Sequence, residues 1–250
     1  MSVPRFYVSN LDPASGVVAL PADEARHATK VLRLRAGDEV VVFDGHGREW
    51  TARLGVPARG GVAVALVREV LPVPEPSVSI TLAVALLKGD QMDAVVRDAT
   101  MMGARSIVPM TTAHVTVAER MWQGGGSIAR WQRVAVASAK QCRRAVVPVV
   151  GEVAPFERVV TAARSVGPDD PLIVMCVEPG IAGAQSVREI AGVRPRAVVV
   201  LIGPEGGWAS DEVAHAVSAG ARLVHLGPRT LRAESTPAVV LSALWTLWGG

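Results

Sequence analysis

From residue 80 onward, short apolar runs alternate with amphipathic stretches of helical period, and this alternation constrains the fold more than any other feature of the chain. Strands are expected at residues 80–87, 106–110, 146–150, 172–177, 197–202 and 222–226. Between them the spacing predicts helices at 90–102 (stopped by Gly103), 127–142 and 155–165. A further helix is capped by Ser210, with Asp211 and Glu212 in its first turn and Gly220 at its end. The last helix covers 237–248, with Pro237 at its first position behind Thr236. Strands joined through helices run parallel and need cover on both faces, so the expected class is α/β.

The first part of the chain reads differently. Strands are expected at residues 5–8, 39–43, 49–54 and 62–70, with one helix at 22–34. Turn signals at Gly37-Asp38, Asp44-Gly45-His46-Gly47 and Arg59-Gly60-Gly61 separate the strands, a pattern that suits a small barrel. Leu71-Pro-Val-Pro-Glu-Pro76 then makes a stiff linker, placing the expected domains at 1–72 and 77–250.

Half of the residues are hydrophobic, which excludes global disorder, and no apolar run reaches the roughly 20 residues of a membrane span. No secretory signal is visible, and Cys142 and Cys176 lie far apart without metal-ligand spacing. Both are expected to be reduced core residues of a cytoplasmic protein. His27, His46, His114, His215 and His225 show no ligand spacing either, so no metal site is expected.

Parallel sheets bind ligands beyond the carboxyl ends of their strands. Two glycine-bearing stretches lie there: Gly203-Pro-Glu-Gly-Gly207 and Leu226-Gly-Pro-Arg-Thr-Leu-Arg-Ala-Glu234. The first is neither a phosphate loop nor a dinucleotide turn, since no Gly-Lys-Ser/Thr and no G-x-G-x-x-G is present. It reads as a side-chain-free path that a ligand can approach closely, or as an ordinary strand-to-helix turn. The second brings Arg229, Arg232 and Glu234 to the same rim, where they serve a ligand or are simply solvated.

The formal charge is only +3, but between residues 119 and 144 Arg120, Arg130, Arg133, Lys140, Arg143 and Arg144 stand against the single acid Glu119. With Arg130 at zero on a helical wheel, the other cations of the helix fall between about 220° and 320°. Ile128, Trp131, Ala135, Ala139 and Cys142 fall between about 100° and 180°. A basic face without carboxylate partners points to phosphate contact, against the alternative of a solvated face. Five phosphate contacts on single strands imply a slope of log K on log salt of roughly −3.5. The closing helix is apolar almost all round and is expected to be buried, at a subunit interface or in the core.

These motifs resemble the RsmE family of SPOUT (trefoil-knotted) RNA methyltransferases over nearly the whole chain. Arg5-Phe-Tyr7, His27-Ala-Thr-Lys-Val-Leu-Arg33, Gly37-Asp38 and Phe43-Asp-Gly45 are similar to its PUA-like RNA-binding barrel. Lys88-Gly-Asp-Gln-Met92, Gly103 and Gln141-Cys-Arg-Arg144 match its middle, and the two glycine loops match its cofactor motifs. The resemblance implies a knotted parallel sheet, a homodimer packed through the knot, and methylation of uridine N3 in small-subunit 16S ribosomal RNA. It also implies S-adenosylmethionine held by three loops: Val177 and Glu178; Ile202, Gly203, Pro204, Glu205, Gly206 and Gly207; and Leu226, Gly227, Leu231 and Arg232. Arg232 and Glu234 become the catalytic candidates, and Arg5, His27, Arg33, Arg130, Arg133, Lys140, Arg143 and Arg144 the RNA-binding ones.

The chain departs from the family pattern at Asp98 and Met101, where Lys and Glu are usual, and at His114, Lys140 and Ser235, where Arg, Glu and Thr are frequent. Rival readings are a SPOUT enzyme acting on transfer RNA or a ribose 2′-oxygen, and a non-catalytic RNA-binding protein. An oxidoreductase lacks any fingerprint.

Overall fold

The computed structural model describes residues 3–57, 61–118, 122–123, 125–164 and 171–249. Arg59, Gly60, Glu119, Arg120, Gly124 and Ser165, on which some of the expectations fall, lie outside these residues. The chain divides into two compact units, Met1–Pro74 with Val136–Val147, and Glu75–Ala135 with Pro148–Gly250. The break falls between Pro74 and Glu75, inside the proline-rich stretch. The return of residues 136–147 to the first unit has no signature in the sequence.

In the first unit β1 (Arg5–Tyr7), β2 (Val17–Ala19), β3 (Glu39–Phe43), β4 (Glu49–Leu54) and β5 (Ala63–Val70) form one sheet. Their order is β1-β3-β4-β5-β2, antiparallel except for β1 beside β3. Among the described residues the two ends of the sheet do not pair, so the expected barrel is an open half-barrel. Phe6, Val40, Val42, Ala52 and Val64 alternate inward and are fully buried. The helix expected over 22–34 is shorter and irregular: α1 (Ala22–Arg26) continues as a single π turn, His27–Val31. It closes with Arg33 left-handed at φ 54° and Leu34 N–H donating to Ala28 O at 3.0 Å.

The second unit holds, in chain order, β6 (Ser79–Ala85), α2 (Gln91–Met101), β7 (Ser106–Thr111), the start of α3 (Gly126–Cys142), β8 (Val149–Val150), β9 (Ala154–Pro155) and α4 (Phe156–Ala163). Then come β10 (Leu172–Cys176), β11 (Gln185–Ser186), β12 (Ala197–Ile202), α5 (Ser210–Ser218), β13 (Arg222–His225) and α6 (Thr236–Trp248). The strand order is β11-β13-β10-β12-β6-β7-β8, with β9 beside β7, and every pairing is parallel. On one face Ala83, Ile173, Met175, Val199 and Leu201 pack with Phe156 and Val160 of α4 and Ala216 of α5. The alternate residues Leu82, Val84, Val174, Val198 and Val200 are buried as completely, and α2 packs on α6. A strand buried on both faces explains the unbroken apolar run of β12.

Strands β2, β9 and β11 were not expected, and further details differ from the expectations. The strand at 146–150 shrinks to Val149–Val150. The cap of α5 is Ala209, not Ser210, because the Glu212 carboxylate reaches back to accept Ala209 N–H at 3.0 Å. Pro237 stands second in α6, behind Thr236, and Ser235 is the N-cap.

Candidate active site

Strands β10, β12 and β13 are neighbours and parallel, so Cys176, Ile202 and His225 end on one edge of the sheet. The loops that follow them enclose a cavity of about 600 Å³. Val177, Glu178, Ile202, Gly203, Pro204, Glu205, Gly206, Gly207, Leu226, Leu231, Arg232 and Glu234 line it, so of the cofactor and catalytic candidates only Gly227 stands off the wall. Gln91 and Trp208 also line it and were not expected there, and Arg229, expected at the rim, lines it together with Thr230. Trp208 had a signal, since it directly follows the glycine loop. Gln91 had none in the strand pattern: it follows β6, and only the pairing of β6 with β12 puts the start of its helix at the same sheet edge.

The walls are held by the main chain and by one indole. Trp208 Nε1 donates to Cys176 O at 2.8 Å, and its ring stacks at a tilt on Phe156, 5.4 Å between centroids. A Cβ on Gly203 would stand 2.9 Å from Trp208 Cε2, so only glycine lets strand β12 end against this fixed ring. Val177 N–H donates to Val224 O at 3.0 Å, joining the first loop to β13. The Arg232 carbonyl accepts from Ser235 N, Thr236 N and Thr236 Oγ1, which closes the third loop onto α6.

Among the described residues, the N–H groups of Glu205, Gly206, Thr230 and Leu231 donate to no protein acceptor. Unpaired main-chain donors beside apolar side chains suit a planar ligand with polar edges. The Arg232 guanidinium is 86% exposed, and its Nη1 lies 3.8 Å from Oε1 of the 21% exposed Glu234. Burial pushes the Cys176 thiol up to about 12, so this wall residue stays neutral. Gln91 Oε1 is buried without a partner.

The RNA-binding candidates separate into used and free cations. Arg5 is spent inside the first unit: Nη1 meets Glu49 at 2.7 Å, Nη2 donates to Arg144 O at 3.2 Å, and the guanidinium lies 4.8 Å from the Phe43 ring centre. Lys140 meets Glu24 at 2.6 Å, and Arg144 is buried. In the second unit Arg130 pairs with Asp93. The expected basic face without carboxylate partners is therefore corrected, because its partners come from residues distant in sequence. Arg33, Arg133 and Arg143 are exposed, and His27 is half-buried edge-on to Phe6. Trp131, Ala135 and Ala139 are buried, as the helical period requires.

Residues 74–245 match the model of an RNA methyltransferase domain, and residues 20–67 that of an RNA methyltransferase PUA domain. The chain is 32% identical to ribosomal RNA small subunit methyltransferase E of Mycobacterium bovis, covering 97% of this chain and 91% of that protein. It is 31% identical to the protein of the same name from Synechocystis, over 96% and 76% of the two chains. The structure of ribosomal RNA small subunit methyltransferase E from Neisseria gonorrhoeae, bound to S-adenosyl methionine, superposes with a TM-score of 0.86 at 30% identity, covering 99% of each chain. With a SPOUT-type domain, a PUA domain and full-length relatives of one kind, this chain belongs to the ribosomal RNA small subunit methyltransferase E family.

Proposed function

We propose that this protein methylates N3 of a uridine in small-subunit ribosomal RNA, using S-adenosylmethionine bound in the cavity at the ends of β10, β12 and β13. The cavity carries the reading: its volume lies within the roughly 300–1,000 Å³ range of small-molecule sites. Its residues fit the donor. Val177, Ile202, Leu226 and Leu231 offer apolar walls, the free N–H groups of Glu205, Gly206, Thr230 and Leu231 offer polar contacts, and Glu178 and Glu205 offer negative charge. The donor, when bound, supplies a methyl group on a cationic sulfur, already electrophilic. Uridine N3 must lose its weakly acidic proton, and Glu234 is the carboxylate at the rim to accept it. Arg232, largely exposed beside Glu234, stabilises the negative charge that develops on a uracil carbonyl. Calorimetry with S-adenosylmethionine, followed by mass spectrometry of nucleosides from methylated RNA, tests this. No binding, or a 2′-O-methyl product, overturns it.

RNA is held through phosphates, with affinity but without sequence reading. Of the expected RNA-binding residues, Arg33, Arg133 and Arg143 are the exposed cations with no ion pair among the described residues. At about −0.7 per contact on single strands, three contacts give a slope of log K on log salt near −2. A slope as steep as about −3.5 would mean that the internally paired cations also reach phosphate.

A second copy of the chain covers α6. Val239 and Trp245 on this helix and Met101 on the adjoining α2 are exposed, while Val240, Leu241, Leu244 and Trp248 of α6 are buried. Light scattering that gives a monomer mass removes the homodimer. No helix among the described residues is long and apolar enough to cross a membrane. A ribosomal RNA substrate and two free thiols fit the cytoplasm, and fractionation of the protein to another compartment would contradict that placement.

A further inference from the structure

We infer that His114, in the loop after β7, is a positioning residue: its Nδ1–H, shared by the carbonyls of Gly206 and Gly207, sets which way the glycine turn presents its peptide groups. This rests on the cavity being the site of the methyl donor. Nδ1 stands 3.0 Å from Gly206 O and 3.2 Å from Gly207 O. A carbonyl oxygen only accepts, so these contacts require the hydrogen on Nδ1.

The turn needs an external hold. Two glycines in succession adopt either sign of φ at little cost, and Gly207 stands at φ +70°. Nothing in their own side chains decides which way the peptide planes face. Gly207 N–H donates to Pro204 O at 3.0 Å, which fixes one end of the peptide between Gly206 and Gly207. His114 holds the oxygen at its other end, and the oxygen of the next peptide as well. The two fixed peptides carry the Gly207 and Trp208 N–H groups; in the two peptides just before them, the N–H groups of the cavity-lining Glu205 and Gly206 donate to no acceptor among the described residues.

The loop that carries His114 is itself braced. The buried Glu212 carboxylate accepts Ala113 N–H at 2.8 Å and Ala209 N–H at 3.0 Å. That ties the residue before His114 to the far end of the glycine loop. The approach is close: a Cβ on Gly206 would stand 3.0 Å from His114 Cβ, so a side chain there requires His114 to give by a few tenths of an ångström. His114 is exposed, so replacing it opens no core cavity.

Asparagine can place an amide N–H near the position of Nδ1, whereas glutamine places it near Nε2. Calorimetry with S-adenosylmethionine on the full-length wild type, His114→Ala, His114→Asn and His114→Gln separates the donor role from packing. His114→Ala is expected to raise Kd about three- to tenfold, the scale of one hydrogen bond. His114→Asn is expected to bind within about twofold of wild type, and His114→Gln to remain as weak as the alanine variant. In steady state the alanine change should raise KM for the donor and leave kcat unchanged. Alanine binding like wild type, or glutamine restoring affinity as well as asparagine, overturns the inference. If the wild type itself binds no donor, the reading of the cavity has failed and this one falls with it, an outcome that the wild-type titration alone identifies.

Discussion

Single-turnover methyl transfer by the Glu234→Gln protein is expected to be about 10²- to 10⁴-fold slower than by wild type, the range for a positioned general base. Glutamine keeps the shape of the side chain and removes its charge and basicity, so Thr236 and the turn that closes on the Arg232 carbonyl remain in place. Glu234 is mostly shielded, at 21% exposure, whereas Arg232 beside it is 86% exposed and free to move toward a base entering the cavity. Donor affinity should change little, because the binding contacts come from the main chain, the apolar walls and the carboxylates of Glu178 and Glu205. Arg232→Ala is expected to lose about 10²- to 10³-fold, the scale of one removed electrostatic donor. A loss below about tenfold for Glu234→Gln takes that residue out of the base role. A shift in donor Kd instead of rate makes it a wall of the cavity only.

The parallel sheet was legible because burial on both faces leaves an apolar run without alternation, as in β12, and because helices must separate parallel strands. The cavity was legible because glycines at Gly203 and Gly206 are the trace of close approaches, to Trp208 and His114. What escaped the sequence depends on pairing over distance. The cations of α3 looked unpartnered since no acid lies near them in sequence, yet Lys140 meets Glu24 across 116 residues. Periodicity reports which face of a helix is polar and not what stands opposite. Gln91 escaped because a cavity wall contributed by a fourth strand end becomes visible only with the order β10-β12-β6 in hand. The open edges of the first sheet escaped as well, since turn spacing does not decide whether the last strand reaches the first.

Removing the carboxylate of Glu49 is expected to destabilise the first unit by about 3–5 kcal/mol, the cost of leaving a buried charge alone. The Arg5–Glu49 pair is 2.7 Å long with side chains only 9% and 11% exposed, and it sits against the Phe43 ring. Its hydrogen bonding is already incomplete, with Arg5 Nε and Glu49 Oε2 buried and unpaired. Glu49→Ala therefore strands a guanidinium whose one remaining acceptor is the Arg144 carbonyl. Because the chain has two units, the loss is best read by native-state hydrogen exchange of β1, β3 and β4 instead of a single melting curve. Arg5→Met with Glu49→Leu removes both charges and is expected to be neutral or stabilising by about 1–4 kcal/mol. That double variant also decides the role of Arg5. If the guanidinium is structural, the stabilised protein binds RNA with the wild-type salt slope, whereas a lost phosphate contact flattens the slope by about 0.7.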